Sequence, residues 1–301
     1  MRRVIDTIIP KSETQNPNPD GQVEMLRRAA VAGTWYSDSR KDLSRDVDRY
    51  LAAVTGDAPA GRPRAIISPH AGLMYSGPVA ACAYKQVANV AYSAVVLVGP
   101  SHFVPFRGVS IWPAGRWETP FGDVTVDTDL ADAIRTECRE VIELPSAHAR
   151  EHSLEMQLPF VAHLLPGVPI VPLVMGHQTR ETAFALGDAL ARVLRRNANA
   201  SNASNVLLIA TSDLSHYENA TVAGGMDAVM LEHVEAFDAE GLMAALEAEP
   251  RHACGGGPMV SVLRAARQSG ASRAHVVRYA DSGDISGDKS AVVGYMAAVI
   301  W

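Results

Sequence analysis

Three apolar runs of strand length, each ending in a turn rich in glycine, proline or serine, most constrain how this chain folds. They lie at Ala65–Ser68, Val95–Val98 and Val206–Ala210, and their apolar residues are consecutive rather than alternating. Consecutive apolar residues are typical of strands that helices cover on both faces. Because helical patterns separate the runs, the sequence predicts an α/β fold with a mixed, largely parallel central sheet covered by helices on both faces.

A histidine follows each of the three runs. His70 comes after the first run, His102 after the second and His216 after the third. The carboxyl ends of parallel strands meet at one edge of a sheet, where ligands bind in α/β folds. A single histidine after a strand is usually an ordinary loop residue. Three such endings favour a shared histidine site at this edge.

Cys254 is the next candidate for chemistry. It stands in the segment HACGGGP (His252–Pro258), just before a predicted helix that Pro258 would begin. The positive end of that helix would lower the pKa of the thiol, and the glycines would let the backbone approach a bound ligand. The alternative is a tight turn with a buried structural cysteine. Cys82 and Cys138 lie within helical patterns and are interpreted as structural.

Two further pairs could supply an acid and a base. His152 and Glu155 are three residues apart at the start of a helical pattern over Leu154–Leu164, which Ser153 could cap. Pro159 lies inside this pattern, so we expect a kink there or a helix that begins at it. The alternative for this pair is ordinary electrostatics at a helix start. Asp213 and His216 are also three residues apart, and Asp213 could fix the tautomer of His216.

Composition narrows the class of protein. The chain has 301 residues and a formal net charge of −6, which argues against binding to nucleic acid. Its three cysteines make no disulfide framework, so we expect a reducing, cytoplasmic location. We find no apolar run long enough for a membrane span or a signal peptide. Residues 1–26 are expected to form a flexible extension, and residues 27–301 a single domain.

Seven segments, in one order along the chain, carry the motifs of a known family. They are AVAGTWY (Ala30–Tyr36), IISPHAGLMY (Ile66–Tyr75), AYKQV (Ala83–Val87), VGPSHFVP (Val98–Pro105), EHSLEMQLP (Glu151–Pro159), SDLSHY (Ser212–Tyr217) and CGGGP (Cys254–Pro258). These segments resemble the Memo family, which includes protein B of the prokaryotic AmmeMemoRadiSam system. The family resembles in turn the catalytic subunits of class III extradiol dioxygenases, so the resemblance implies their fold and a metal pocket.

The resemblance also implies roles for individual residues. The metal ligands of the family map onto His70, His102 and Cys254, and the catalytic pair beside them maps onto Asp213 and His216. In the dioxygenases a carboxylate stands where this chain has the cysteine. Three more residues of the shared motifs are expected to contact substrate: Tyr75, His152 and Glu155.

Two imidazoles and a thiolate suit iron or copper, and zinc is a further option. We therefore expect a non-haem iron- or copper-dependent redox enzyme that resembles a dioxygenase and acts on an unidentified substrate. One alternative is a zinc-type hydrolase with His216 or Glu155 as the base. Another is a non-catalytic module that binds a peptide or protein in the same pocket. The prokaryotic family name suggests a functional link to radical-SAM and AMMECR1-like proteins, and we expect no nucleic acid or membrane partner.

Overall fold

The computed structural model describes residues 25–55, 61–198 and 205–301. Apart from its last two positions, the expected N-terminal extension of residues 1–26 lies outside the described residues. The strands are β1 (Leu26–Arg27), β2 (Ala65–Ser68), β3 (Ala94–Pro100), β4 (Val109–Ile111), β5 (Arg116–Trp117), β6 (Val124–Thr125), β7 (Val141–Glu143), β8 (Ile170–Met175), β9 (Val206–Thr211), β10 (Asp213–Glu218), β11 (Ala274–Asp281) and β12 (Val292–Ile300). The helices are α1 (Arg40–Ala53), α2 (Leu73–Val87), α3 (Thr128–Glu137), α4 (Pro145–Ala149), α5 (Leu158–Leu164), α6 (Arg180–Ala198), α7 (Ala220–Glu235), α8 (Ala239–Ala248), α9 (Gly256–Gln268) and α10 (Gly283–Ser286).

In the described part of the chain, nine strands form one sheet. Their order is β10-β12-β2-β9-β3-β8-β4-β7, and β11 also pairs with β12. The four central strands, β2, β9, β3 and β8, are parallel. On the flanks, β12 runs antiparallel to β2 and β4 runs antiparallel to β8. This mixed sheet with a parallel centre confirms the predicted fold class.

Helices pack against both faces of the sheet. Because successive side chains of a strand point to opposite faces, Ile66 and Ile67 of β2 belong to two different hydrophobic clusters. One cluster includes Ala183 of α6 and Met259 of α9, while the other includes Leu43 of α1. The consecutive apolar residues of the strands are therefore all buried, as the sequence predicts.

Polar side chains fix where several helices begin. Ser39, Asp127, Asn219 and Asp238 each accept a hydrogen bond from a backbone N–H in the first turn of α1, α3, α7 and α8, respectively. Such caps satisfy N–H groups that have no partner within the helix. No helix among the described residues is long and apolar enough to cross a membrane.

Of the two outcomes expected for Leu154–Leu164, a kink at Pro159 or a helix that begins there, the second is confirmed to within one residue. A 3-10 turn spans Glu155–Gln157, and the helix proper, α5, begins only at Leu158 with Pro159 in its first turn. Ser153 does not cap it, because the Ser153 hydroxyl donates to the carbonyl oxygen of Pro100 at 3.0 Å. This bond joins the segment to the end of β3 and draws it toward the strand ends.

Candidate metal centre

The central strands deliver their following residues to one edge of the sheet. Ser68 of β2 pairs with Thr211 of β9, and Pro100 of β3 pairs with Met175 of β8, so these strands end at nearly the same level. His70 and His102 each follow within two residues of a strand end. Two of the three histidines predicted for this edge, His70 and His102, therefore lie in one cluster, while His216 is not part of it.

Three imidazoles form the centre of the site. The ligand atoms of His70, His102 and His152 all lie within 4.8 Å of one another. Their ring centroids are 5.3 Å apart for His70 and His102, 5.6 Å for His70 and His152, and 4.5 Å for His102 and His152. These three side chains could hold one metal ion. His152, expected as a substrate contact or as part of an acid/base pair with Glu155, thus lies in the candidate metal site itself.

Fixed partners orient two of the imidazoles. His102 Nδ1 lies 2.8 Å from Glu151 Oε1. Because a carboxylate only accepts hydrogen bonds, Nδ1 carries a proton, and the metal-binding atom of His102 would be Nε2. His70 Nδ1 lies 2.8 Å from the hydroxyl of Thr211, which also accepts from Gln157 at 2.8 Å. Outer hydrogen bonds of this kind orient the histidine ligands of metal sites.

Cys254 lies beside His70. Its Sγ is 3.1 Å from His70 Nε2, and the N–H of Asp213 donates to the same sulfur at 3.3 Å. The backbone N–H of Cys254 donates to the carbonyl oxygen of Asp213 at 3.2 Å. The next residue must be a glycine, since a Cβ at Gly255 would lie 2.3 Å from the Thr211 carbonyl oxygen. The sulfur is thus held at the edge of the imidazole cluster.

The predicted low pKa of the Cys254 thiol is wrong. The α9 helix begins at Gly256, so Pro258 is the third helical residue and not the first. Burial and the nearby carboxylate of Asp213 raise the pKa of Cys254, which outweighs the hydrogen bonds from Asp213 and Ser212. Without a cation in the site, the sulfur is therefore a protonated thiol. A bound metal ion would supply the positive charge that a thiolate needs there.

Burial disfavours the protonated forms of His70 and His152, and a metal ligand must be a neutral imidazole. Burial and the neighbouring His102 hold the pKa of His70 well below its usual value. Burial, His70 and His102 lower the pKa of His152 to about 4. Burial alone would raise the pKa of Glu151, but the hydrogen bond and charge of His102, with the N–H groups of His102 and Ser153, lower it to about 2. The donor set of neutral nitrogens and one sulfur fits a transition metal or zinc.

Asp213 and His216 lie on β10, a strand that sequence reasoning did not predict. Asp213 Oδ1 accepts from the N–H groups of His70 at 2.7 Å and Ala71 at 3.3 Å. The expectation that Asp213 fixes the tautomer of His216 is wrong, since His216 Nδ1 donates to the carbonyl oxygen of Leu214 at 2.7 Å. Asp213 instead ties the His70 turn to the Cys254 turn, and His216 keeps Nε2 free as a proton acceptor.

The two remaining predicted substrate contacts lie outside the imidazole cluster. The carboxylate of Glu155 has no accessible surface and accepts from Arg27, Ala30, Val31 and Tyr36. Tyr75 lies in the first turn of α2, half-buried against the core. A substrate role for either residue stays a prediction, but the carboxylate of Glu155 is already fully occupied.

Sequence reasoning missed the residues that support the imidazoles. Glu151 and Thr211 hold His102 and His70, and the buried Gln157 joins Thr211 to the carbonyl oxygen of Pro69 at 3.0 Å. Glu151 stands directly before His152 in the chain, and this acidic neighbour was the one available signal for an imidazole partner. Nothing in the spacing linked Thr211 to His70, which is 141 residues away.

Comparisons with known proteins agree with the motifs. Residues 27–299 match the model of the family described as Memo-like protein. A MEMO1 family protein of Methanothermobacter thermautotrophicus is 36% identical over 278 residues, which cover 90% of this chain and 99% of that protein. A MEMO1 family protein of Thermotoga petrophila is 35% identical over 289 residues, which cover 92% of this chain and 100% of that protein.

Similarity to solved structures is weaker. An uncharacterized protein of Escherichia coli K12 covers 78% of this chain and 99% of its own length, with 14% identity and a TM-score of 0.46. At this level the similarity supports no argument, and the expected likeness to class III extradiol dioxygenases is not confirmed. The family rests instead on the match over nearly the whole chain and on relatives at about a third identity. The chain belongs to the Memo-like protein family.

Proposed function

We propose that this protein is a metal-dependent redox enzyme whose ion is held by His70, His102 and Cys254. The observation that supports the proposal is the contact of the sulfur with His70 Nε2 at 3.1 Å, because His70 shares a cluster with His102. Two imidazoles and a thiolate favour copper or iron over magnesium or calcium. Bound there, such a metal would supply one-electron chemistry or oxygen activation.

The residues around the ion would bind, orient and move protons. Glu151 places the proton of His102 on Nδ1, and Thr211 orients the ring of His70, so both residues would support imidazoles that could hold an ion. His216 is oriented through Leu214, so its Nε2 can accept a proton from a bound substrate. Asp213 keeps the His70 and Cys254 turns in register through its carboxylate and its backbone. We propose that the protein is cytoplasmic. We also propose that its substrate is a small molecule or a peptide that binds at this site.

A second candidate function has its own observation. The compact set consists of three imidazoles, His70, His102 and His152, and three histidines with an open fourth position are a catalytic zinc arrangement. In that case the enzyme would be a hydrolase, and His216 would serve as the base. The two candidates differ in their third ligand, which is Cys254 in the first and His152 in the second.

The test uses the third ligand to separate them. Protein purified without a chelating tag is analysed for bound metal as wild type and as His70→Ala, Cys254→Ala and His152→Ala variants. The redox proposal predicts metal loss in His70→Ala and Cys254→Ala but retention in His152→Ala. The zinc hydrolase predicts the reverse for the last two variants.

Oxygen uptake then tests the chemistry. Metal-free protein is loaded under anaerobic conditions with iron(II), copper(I) or zinc, and dissolved oxygen is followed after mixing with air-saturated buffer and a reductant. Uptake with iron or copper, and none with zinc or with the Cys254→Ala variant, is the expected result. Absence of uptake with every metal would reject the redox proposal even where the metal binds.

A further inference from the structure

An arginine without an acidic partner stands beside the imidazole cluster. Arg150 is exposed, and its guanidinium carbon lies 5.1 Å from the ring centroid of Phe103. Among the residues that the structure describes, no carboxylate pairs with this guanidinium. Stacking on an aromatic face leaves the N–H edge of a guanidinium free, so Arg150 can still bind an anion.

One aromatic ring, that of Phe103, connects this arginine to His152 of the candidate metal site, and a second ring, that of Trp35, also contacts His152. The ring centroid of Phe103 lies 5.9 Å from that of His152. The ring centroid of Trp35 lies 4.4 Å from that of His152. Phe103 is 47% exposed and Trp35 is 38% exposed, although both are large apolar side chains. Exposed apolar surface next to an imidazole cluster is typical of a ligand-binding mouth.

The neighbouring carboxylate of Glu151 does not neutralise the charge of Arg150. Its neighbour in the chain, Glu151, is buried, and that carboxylate accepts from the backbone and ring of His102. The surface formed by Arg150, Phe103 and Trp35 therefore carries the positive charge of Arg150, although the formal net charge of the chain is −6. One guanidinium balances one carboxylate and can bind it through two parallel hydrogen bonds.

We propose that the ligand of this site is a carboxylic acid with a flat apolar body. Arg150 binds the carboxylate, and Phe103 and Trp35 pack against the body, which places the ligand over the imidazoles of His152 and His102. This inference deepens the proposed function by naming its substrate class, and what happens to the ligand after binding rests on that function. Binding itself needs only the protein surface described above.

The test measures binding of benzoate, of benzyl alcohol as the neutral analogue and of acetate as the analogue without a ring. Affinities are measured by calorimetry or ligand-detected NMR for wild type and for Arg150→Gln, Phe103→Ala and Arg273→Gln. Arg273 is the matched control, because it is exposed and precedes β11 at the opposite end of the sheet, where Ala274 pairs with Ile300. The expected result is a tenfold or greater loss of benzoate affinity in Arg150→Gln with benzyl alcohol unchanged.

The other arms complete the test. Phe103→Ala should weaken benzoate and benzyl alcohol alike, acetate should bind more weakly than benzoate, and Arg273→Gln should match the wild type. No benzoate binding by the wild type, or equal benzoate affinities in the wild type and Arg150→Gln, would overturn the inference. Metal content, measured on the same samples, should be equal in all of them. Failure of the metal proposal would appear as metal-free wild type, while the benzoate result would still stand or fall separately.

Discussion

Glu151 and Glu155 are two buried carboxylates four residues apart, yet they accept hydrogen bonds from different parts of the structure. Glu151 accepts hydrogen bonds from the backbone N–H and the ring Nδ1 of His102, a residue of the candidate metal site. Glu155 accepts from Arg27, Tyr36 and two backbone N–H groups of the segment that wraps over it. Burial of an acid therefore does not reveal its role, whereas the identity of its hydrogen-bond donors does.

The largest expected effect is on the Glu155 side. In Glu155→Gln the guanidinium of Arg27 stays buried without its carboxylate, so we expect a loss of about 3–5 kcal/mol in the free energy of unfolding. Urea unfolding of the wild type and the variant measures it. Glu143→Gln, an exposed acid on β7, is the control and should change stability little. A stable Glu155→Gln variant that has lost its metal affinity would break the comparison.

The next effect is on the Glu151 side and concerns the metal. Glu151→Gln removes the acceptor that fixes His102, so we expect metal affinity to fall by about 10–100-fold. Competition with a chromophoric chelator measures the affinity, and Glu155→Gln, under conditions where it is folded, is the contrasting variant. Unchanged metal affinity in Glu151→Gln would show that this carboxylate does not orient a ligand.

Stability should also respond to pH through the buried histidines of both sides. Burial, with the charge of Arg27, lowers the pKa of His148 to about 3, and burial lowers that of His152 to about 4. The unfolded chain binds protons below its ordinary histidine pKa of about 6.5, whereas these folded imidazoles do not. Stability is therefore fully present above that pH and falls toward pH 4, by up to about 1.4 kcal/mol per pH unit for each such histidine.

A variant can separate the contributions of His148 and His152 to the pH dependence of stability. His148 lies near Arg27, with its Nε2 2.9 Å from the hydroxyl of Ser110, and His148→Gln should flatten the curve of metal-free protein. Metal loading should steepen the curve of the wild type, because protons compete with the ion for the imidazoles. Equal slopes in the wild type and in His148→Gln, measured by chemical unfolding across this range, would contradict the assignment.

The smallest effect belongs to the residue between the two acids. Ser153→Ala deletes the hydrogen bond to Pro100, so we expect a loss of about 1 kcal/mol in the free energy of unfolding. Metal affinity should stay within twofold of the wild type, on the order of measurement error. A large fall in metal affinity would mean that the join to β3 also positions His102.

Much of the fold was readable because its signals are local. Consecutive apolar residues predicted the buried strands, and the turns after them predicted that His70 and His102 would meet. The polar spacing around His152 and Ser153 predicts a capped first turn. In the structure the Ser153 hydroxyl bonds to Pro100 instead, and His152 joins the imidazoles. Long-range contacts decided that outcome, and the local pattern did not contain them.

The roles of the charged residues were harder to predict for the same reason. Arg27 and Glu155 are 128 residues apart, and neither residue alone signals a buried ion pair. The thiol pKa of Cys254 was predicted from one helix end, but burial and Asp213 reverse its direction. Electrostatics of this kind depends on every group packed around a site, which only the folded arrangement reveals.

Anomalous diffraction from crystals of the metal-loaded protein would locate the ion relative to the imidazole cluster. We expect one strong anomalous peak within bonding distance of the Nε2 atoms of His70 and His102, with either Cys254 Sγ or His152 as the third ligand. A peak at neither Nε2 atom, or no peak in protein that elemental analysis shows to contain metal, would contradict the assignment of this imidazole cluster as the metal centre.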